Sequence, residues 1–386
     1  MIRVVFFALI ASSLWGKPLE VTLQARSAIL MNGETGAILY EKHAHTPSFP
    51  ASITKIATAL FVLDQKKGTW DEVVTVSGEA LRFKNPQDLK HALPHWLEPE
   101  GTMMWLAKGE KVSLDALLHG LMLVSGNDAA NVLAETVSGS VPQFIEQLNE
   151  YVRDLGCLHT QFRNPHGLHH PEHFTTAYDI CLVTKKALQF PKFRSIVSSL
   201  SYMKPKTNKQ PVTEFFQKNP LLKSGKFHYS KAIGVKTGYT SHAQHTLVAA
   251  AEHDGRLLIA VVLGCKQKGE HCADVTRLFE AAFAEEKKSQ RLIGPESLFT
   301  QKVEGGAAPV EAALADEVVI SFYPAEEPAY RAFVRWELPA LPIQKGQRVG
   351  RIEVLSAEGV LLTQGPLFAQ VDVKPTLLFR MKQWFK

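Results

Sequence analysis

Residues 56–63 constrain this chain more than any other stretch, because they are apolar almost without interruption and follow directly on Ser52 and Lys55. A helix that is apolar on all sides has to be buried. At the start of such a helix, Ser52 and Lys55 would lie one turn apart on one face. A lysine amine in a partly dry pocket can lose its proton and activate a neighbouring serine hydroxyl. Taken alone, this spacing is a weak signal that occurs by chance in many chains, and the ordinary alternative is an N-cap serine with a surface lysine.

The N-terminal residues 1–16 are typical of a secretory signal peptide. Arg3 precedes the apolar run 4–11, and the small residues Ser13 and Gly16 follow it. The run is too short for a comfortable membrane span. We therefore expect the protein to be exported; the alternative is an ordinary buried N-terminal segment.

Chain length limits the number of domains, and the charge distribution limits the classes of binding partner. A chain of 386 residues has enough material for two or more domains. The net charge of +5 is spread along the chain without a long Lys/Arg block. This distribution does not favour a nucleic-acid partner, and it fits a protein that works near an anionic surface.

The cysteines leave two possibilities open. In an exported protein, Cys265 and Cys272 are close enough in sequence to form a small-loop disulfide. Four free buried thiols, these two with Cys157 and Cys181, are equally compatible with the sequence. The cysteines show no C-x-x-C spacing of the kind that binds a metal.

Four histidines, at positions 166, 169, 170 and 173, invite a metal-site interpretation. Pro165, Gly167 and Pro171 interrupt any regular spacing, and no acidic residue stands in an H-E-x-x-H arrangement. We therefore expect a loop with clustered histidines, and neither a metal nor a cofactor.

Two further segments present polar side chains beside apolar structure. Residues 112–134 read as mostly helical with a break at 125–128, where Ser125 and Asn127 could point into one cleft; ordinary turn chemistry is the alternative. Lys236 and Thr237 follow an apolar run and would lie at the start or edge of a strand. An ammonium and a hydroxyl at a cleft rim could bind a carboxylate, although both residues are common on exposed edges.

The remaining elements follow from hydrophobic pattern and turn chemistry. Hairpins are predicted around residues 32–36 and 252–255. Further helices are predicted at 141–155, 175–188 and 273–283.

The pattern changes after residue 284. Residues 285–290 read as a charged linker, and short β-rich runs follow at 318–323, 333–338, 349–355 and 360–363. They predict a small all-β domain over residues 285–373, with a sandwich as the expected form.

Residues 374–386 predict a separate amphipathic helix. Its apolar face contains Leu377, Leu378, Met381, Trp384 and Phe385, while the basic residues lie mostly away from that face. This arrangement is typical of a helix that lies in a membrane interface. The alternative is a helix that packs on the protein itself.

Three motifs stand in a fixed order: S-x-x-K from Ser52, S-x-N from Ser125 and K-T-G from Lys236. This set occurs in serine β-lactamases and penicillin-binding proteins. The chain closely resembles the low-molecular-weight penicillin-binding proteins, the D-alanyl-D-alanine carboxypeptidases, over nearly its whole mature length. The matching stretches are residues 50–56, 125–130, 164–168, 176–179 and 234–239.

The resemblance implies a serine β-lactamase-like α/β (α+β) catalytic domain at residues 17–284, with an antiparallel sheet flanked by helices. It also implies the trailing β domain and the C-terminal amphipathic helix. The expected substrate is the peptidoglycan pentapeptide stem, with β-lactam antibiotics as inhibitors. The expected location is the periplasmic face of the cytoplasmic membrane, with the C-terminal helix on the membrane surface.

Carried over position by position, the resemblance assigns a role to each motif residue. Ser52 would attack the D-Ala-D-Ala carbonyl and form an acyl-enzyme, and Lys55 would take its proton. Ser125 would relay a proton to the leaving amine. Asn127 would bind the substrate amide and hold Lys55.

The K-T-G motif would form the opposite wall. Lys236 and Thr237 would position the substrate near its terminal carboxylate, with Gly238 and Tyr239 completing the substrate-binding stretch. The backbone N–H groups of Ser52 and Tyr239 would form the oxyanion hole.

The sequence departs from the family in two places. The polar excursion at residues 83–99 looks longer than usual, and the arginine expected within 264–274 is missing. That segment offers only Lys266, Lys268 and His271, so its role in binding the carboxylate is left unassigned. A D,D-endopeptidase, a β-lactamase with Glu172 as the first downstream glutamate, and an inert peptidoglycan-binding protein remain as alternatives.

Overall fold

The computed structural model describes residues 3–5, 17–85, 91–357 and 359–384. The chain divides into two compact units. The larger unit is Leu19–Ala284, and the smaller unit contains Glu285–Lys386 together with the first residues of the chain. Within the described residues, no helix is both long enough and apolar enough to cross a membrane.

The strands of the described residues are, in chain order, β1 (Arg3–Val5), β2 (Ser27–Asn32), β3 (Ile38–Lys42), β4 (Val73–Thr75), β5 (Lys111–Ser113), β6 (Ser201–Lys204), β7 (Thr213–Phe216), β8 (Ala232–Thr240), β9 (Gln244–His253), β10 (Arg256–Cys265), β11 (Lys288–Ile293), β12 (Phe299–Gln301), β13 (Val310–Leu314), β14 (Val318–Phe322), β15 (Tyr330–Trp336), β16 (Arg348–Ser356) and β17 (Leu361–Ala369). The helices are α1 (Thr54–Gln65), α2 (Leu114–His119), α3 (Asn127–Ser138), α4 (Val141–Asp154), α5 (Ala177–Ala187), α6 (Pro191–Ser198), α7 (Glu270–Phe283) and α8 (Leu377–Trp384). A 3-10 turn, Ala51–Ile53, precedes α1.

The larger unit is built on a five-stranded sheet in the order β3-β2-β10-β9-β8, with every neighbouring pair antiparallel. The two predicted hairpins are the β2–β3 and β9–β10 pairs. β10 is buried along nearly its whole length and β9 through its middle, residues 246–251, because helices cover the sheet. β8 forms an edge of the sheet, which leaves one side of this strand free to border a cleft.

Helix α1 is the buried helix that the apolar run predicted. Every residue from Thr54 to Leu63 is buried, and α1 packs against α3, α4 and α5. Phe61 meets Phe144 edge to face at 5.3 Å between ring centroids. Each fully buried large apolar side chain of this kind contributes about 1.5–3 kcal/mol to folding. This packing fixes the N-terminal end of α1, where Ser52 and Lys55 lie.

The prediction for residues 112–134 is confirmed at the break near Ser125 but wrong at the first residues, which are not helical. Lys111–Ser113 is a strand that pairs with β4, and Ser113 caps α2 by accepting a hydrogen bond from Ala116 N at 3.2 Å. A strand of only three residues with an exposed lysine has no alternating pattern long enough to indicate it in the sequence. A π-helical turn, Gly120–Val124, then ends at Ser125 in the left-handed conformation.

The smaller unit is all-β apart from α8 and a short 3-10 turn, as far as its described residues extend. Its antiparallel sheet has the order β1-β15-β16-β17-β13-β12, and β11 pairs separately with β14. Apolar residues of both sheets, Ile293 and Ile320 on one side and Val334 and Ile352 on the other, share one buried core.

The prediction of a charged linker over residues 285–290 is wrong from Lys288 onward. Lys288–Ile293 is strand β11, which pairs with β14, and its first residues are polar and exposed. Of the predicted signal peptide, only Arg3–Val5 is described; it pairs with β15, and the other residues up to 16 lie outside the described part. Cleavage there stays a prediction.

The structure decides between the two possibilities left open for the cysteines. Cys157, Cys181, Cys265 and Cys272 are free and buried. Burial raises the pKa of the Cys265 and Cys272 thiols to about 12, so both are protonated and unreactive at neutral pH.

The turn before α1 depends on one glycine. Ala51 adopts a left-handed backbone with φ of 52°, and Gly167 packs against it with φ of 92°. A Cβ on Gly167 would lie 1.9 Å from Ala51 O. The close approach holds the segment 164–168 against the N-terminal end of α1.

We expect Gly167→Ala to lower the free energy of unfolding by about 3 kcal/mol or more, because the new methyl group overlaps a carbonyl and the backbone is left-handed. Gly68→Ala is the matched control, since Gly68 has φ of 80° and open space around it. That variant should lose only about 1 kcal/mol. Denaturant unfolding measures both values, and equal losses would show that the contact with Ala51 is unimportant.

Candidate active site

A cleft of about 880 Å³ lies in the larger unit. Among the segments that border it are the turn before α1, the turn before α3, and the edge strand β8. Side chains of all three predicted motifs line it, namely Ser52, Ser125, Asn127, Lys236, Thr237, Gly238 and Tyr239.

Ser52 and Lys55 form the centre of the site. Ser52 lies in the 3-10 turn and Lys55 in the first turn of α1, so one helical turn separates them. Lys55 Nζ is 3.1 Å from Ser52 Oγ. It also donates to Asn127 Oδ1 at 2.7 Å and to His166 O at 2.7 Å. The alternative of a surface lysine is therefore wrong, because this side chain is completely buried.

Burial favours the neutral amine of Lys55. Its pKa lies well below the usual value, first because burial penalises the ammonium and then because Lys236 and Lys218 are cationic neighbours. The nearby Asp128 carboxylate opposes this change only in part. Since its hydrogen-bonding contacts are neutral oxygens, the amine can exist unprotonated and accept a proton from Ser52.

Ser125 and Asn127 reach the cleft because the chain makes a sharp turn between two buried helices. Ser125 has a left-handed backbone with φ of 66°, and Thr102 Oγ1 donates to its carbonyl at 2.6 Å. The buried Ser125 Oγ has no hydrogen-bond partner among the described residues. A buried hydroxyl without a partner is costly, and a bound substrate would supply one.

A buried carboxylate holds the neighbouring loop in place. Asp128 accepts hydrogen bonds from Met104 N at 2.9 Å and from Leu106 N at 3.0 Å. Burial raises the pKa of Asp128, and the backbone N–H groups oppose this rise by favouring the carboxylate. The loop that faces Ser125 is thereby tied to the first turn of α3.

Lys236 lies in the middle of β8, and not at the start of a strand as one sequence interpretation had it; β8 is nevertheless an edge strand. The Lys236 side chain is 2% exposed. Its pKa is lowered to about 7, mainly by burial and further by the charge of Lys218. Nζ donates to Thr237 O at 2.9 Å.

Gly238 allows β8 to approach the Ser52 turn. A Cβ at this position would lie 2.9 Å from Ser52 N and 3.1 Å from Pro50 O. Thr246 on β9 reinforces the contact, since its hydroxyl donates to Pro50 O at 3.1 Å. The side chain of Tyr239, which follows, is largely exposed at the rim of the cleft.

The two buried histidines of the cluster, His166 and His173, make structural hydrogen bonds. His166 Nδ1 accepts from Leu168 N at 3.2 Å, so its Nε2 donates to His95 O at 3.1 Å. His173 Nδ1 accepts from Arg163 N at 3.0 Å, and its Nε2 donates to Thr54 Oγ1 at 2.9 Å. Burial lowers the pKa of both, that of His173 to about 3. The described residues contain no cluster of three or more potential metal ligands.

Sequence reasoning missed two groups in the site. The carbonyl of His166 holds Lys55, and the only signal for it was the resemblance of the turn at 164–168. Lys218 lines the cleft from a loop that no motif marked. In the segment 264–274, Lys268 and His271 line the cleft, and Lys266 is not among the lining residues.

Comparison with known proteins now decides the family. The model of the Peptidase S11 family, D-alanyl-D-alanine carboxypeptidase, matches residues 16–267. The chain belongs to this family. It is therefore a serine-type D-alanyl-D-alanine carboxypeptidase, with the peptidoglycan stem as its substrate class and with β-lactam binding as a family property.

Individual relatives agree with the family. The chain is 31% identical to D-alanyl-D-alanine carboxypeptidase DacD of Salmonella typhimurium over 392 residues, which covers 98% of this chain and 94% of the relative. Penicillin binding protein 5 from Haemophilus influenzae has a similar structure, with a TM-score of 0.63, 27% identity, and coverage of 93% of this chain and 100% of that chain. The Streptomyces K15 DD-transpeptidase has a TM-score of 0.60 and 30% identity, covering 69% of this chain and 99% of that chain. The expected fold class is confirmed.

The lysine pKa values predict how penicillin acylation depends on pH. If Lys55 accepts the serine proton, acylation needs its neutral amine, so the rate should rise as pH passes the pKa of Lys55. If the Lys236 ammonium binds the carboxylate of penicillin, the rate should fall as this charge is lost when pH rises through its pKa of about 7. We expect Lys218→Gln to move both limbs of the profile to higher pH, because removing a nearby positive charge raises both pKa values. The measurement is the second-order acylation rate by a fluorescent penicillin across pH.

Lys218→Arg is the matched control, since it keeps the charge and should keep the position of both limbs. If Lys218 served only as a contact, Lys218→Gln would lower the rate equally at every pH without moving the limbs. That result would contradict the electrostatic role.

Proposed function

We propose that Ser52 is the nucleophile of this carboxypeptidase and Lys55 its general base. The observation that carries the proposal is the 3.1 Å contact between Lys55 Nζ and Ser52 Oγ inside a dry, cationic surrounding that favours the neutral amine. In acylation, Ser52 Oγ attacks the carbonyl of the terminal D-Ala-D-Ala bond as its proton passes to Lys55. The negative charge on the carbonyl oxygen is stabilised by the backbone N–H groups of Ser52 and Tyr239.

Ser125 completes acylation by passing a proton to the leaving D-alanine amine. Its buried hydroxyl has no competing partner among the described residues, so it is available for this transfer. Water then hydrolyses the ester on Ser52 and releases the shortened stem. β-Lactams imitate the terminal dipeptide and acylate the same serine.

Asn127, Lys236 and Thr237 hold the substrate. Asn127 Oδ1 accepts from Lys55, which leaves its amide N–H₂ available for the substrate carbonyl. A carboxylate near Lys236 would favour the ammonium form, so substrate binding and the charge of Lys236 support each other.

The β-lactamase alternative lacks support at its key position. Glu172 is exposed and pairs with Arg163 at 2.7 Å between Nη2 and Oε2, and it does not line the cleft. An endopeptidase would use the same acylation groups, and release of D-alanine from a pentapeptide separates it from the carboxypeptidase proposed here.

We expect Ser52→Ala to abolish covalent labelling by fluorescent penicillin and to lower D-alanine release from a muramyl pentapeptide by at least about 1,000-fold, because the nucleophile is gone. Ser230→Ala, which alters an exposed serine in a loop, is the control and should label normally. Intact mass spectrometry reads the adduct. A full adduct on the Ser52→Ala protein would refute the assignment.

We also propose that the protein is exported and that α8 holds it at the periplasmic membrane surface. Leu377, Leu378 and Met381 are 78%, 70% and 57% exposed, so α8 presents apolar side chains to its surroundings. Phe379 packs instead against Gly305, where an added Cβ would lie 2.1 Å from the ring. Trp384 belongs to the helix, but its side chain and Phe385 lie outside the described part. The alternative of a helix fully packed on the protein leaves these three side chains without a role.

Replacing Leu377, Leu378 and Met381 together by glutamate should abolish sedimentation with anionic phospholipid vesicles, because burial of apolar area drives interfacial binding and anionic lipid repels the new charges. The control is Leu158→Glu in the larger unit, whose side chain is equally exposed. It should sediment like the wild type. Unchanged sedimentation of the triple variant would refute the anchor, while penicillin labelling confirms that it is folded.

A further inference from the structure

Trp105 is an exposed aromatic side chain on a backbone that is held on both sides. The side chain is 72% exposed, whereas its neighbours Met104 and Leu106 are buried. Its φ of 62° lies in the left-handed region, which a bulky residue rarely adopts. A tryptophan in such a position is strained, and strained residues of this kind concentrate at functional sites.

Three hydrogen bonds fix the direction of Trp105. Met104 N and Leu106 N, on either side, donate to the two oxygens of buried Asp128. The carbonyl of Trp105 accepts from Gln210 Nε2 at 2.6 Å. The ring is therefore displayed on a backbone with little freedom to move.

The Gln210 contact is part of a polar network centred on a buried carboxylate. Glu110, which is completely buried, accepts from Gln210 Nε2 at 3.0 Å, from Ala107 N at 2.9 Å and from Thr207 Oγ1 at 2.8 Å. The network ties the loop that follows Trp105 to the β6–β7 turn. Both supports of Trp105 are therefore anchored in the fold, and a rigid aromatic surface loses little entropy when it binds a ligand.

The position of Trp105 is continuous with the catalytic cleft. Thr102, three residues earlier, lines the cleft and bonds to Ser125 O. Three residues span at most about 10 Å, so Trp105 lies within that distance of the cleft wall. Asp128, which holds both neighbours of Trp105, directly follows Asn127 of the site.

The peptidoglycan substrate contains a group that could bind Trp105. A peptidoglycan stem is attached through its first residue to an amino sugar, and about four residues separate that sugar from the scissile bond, a reach of about 14 Å. The apolar C–H face of a pyranose ring packs against a flat indole face. Resting on the carboxypeptidase function proposed above, we propose that Trp105 is a stacking platform for the amino sugar of the peptidoglycan strand, outside the peptide-binding cleft.

The proposal predicts that Trp105 improves the use of sugar-linked substrate only. The experiment compares D-alanine release from a disaccharide pentapeptide with release from the same pentapeptide without sugar. For Trp105→Ala we expect kcat/KM to fall about tenfold on the disaccharide pentapeptide, mostly through KM, as for loss of one well-placed tryptophan contact. Release from the sugar-free peptide and acylation by penicillin should remain at the wild-type level.

Trp105→Phe is the matched variant, because it retains an aromatic face and should recover most of the loss. Equal effects of Trp105→Ala on both peptides, or none on the disaccharide peptide, would overturn the platform while leaving the proposed function intact. A wild-type protein that releases D-alanine from neither peptide would overturn both. A Trp105→Ala protein that no longer sediments with anionic vesicles would reassign the side chain to the membrane and overturn the sugar platform.

Discussion

The buried amine of Lys55 is the interaction on which the rest of the site depends. Its three contacts come from three different parts of the chain: Ser52 in the turn before α1, Asn127 at the start of α3, and the carbonyl of His166. A charged lysine in this position would have to give up hydration without an anionic contact partner, so the neutral form is favoured. Burial thus favours the neutral amine, and the fold keeps this amine 3.1 Å from one hydroxyl.

Close backbone contacts hold the segments around the Lys55 amine in place. Gly167 lies against Ala51, and Gly238 lies against the backbone of Ser52, at distances that a Cβ would not allow. Asp128 ties the loop opposite Ser125 to α3 through two backbone N–H groups. The same carboxylate also holds both neighbours of Trp105, so the catalytic site and the proposed sugar platform share one support.

Several elements of the fold were readable from the sequence, and the errors have physical causes. The apolar run of α1 and the turns of the two hairpins gave strong local signals. The sequence pattern predicts helix for residues 112–113 because the strand Lys111–Ser113 is short and half-exposed. It predicts a linker for residues 288–290 because polar, exposed side chains on a paired strand resemble those of a solvated loop. In both cases the pairing depends on backbone hydrogen bonds to a distant segment, which leave no pattern in side chains.

The sequence by itself determined which chemistry the chain carries: the order of the three motifs placed it in its family, and the apolar run placed Ser52 and Lys55 one turn apart. Only the tertiary structure decided that burial lowers the pKa of Lys55, that the His166 carbonyl is its third contact, and that Lys218 lines the cleft. The physical reason is that a local motif is set by neighbours along the chain. Desolvation, charge coupling and rim geometry are set by residues that are distant in sequence and meet only when the sheet and helices pack.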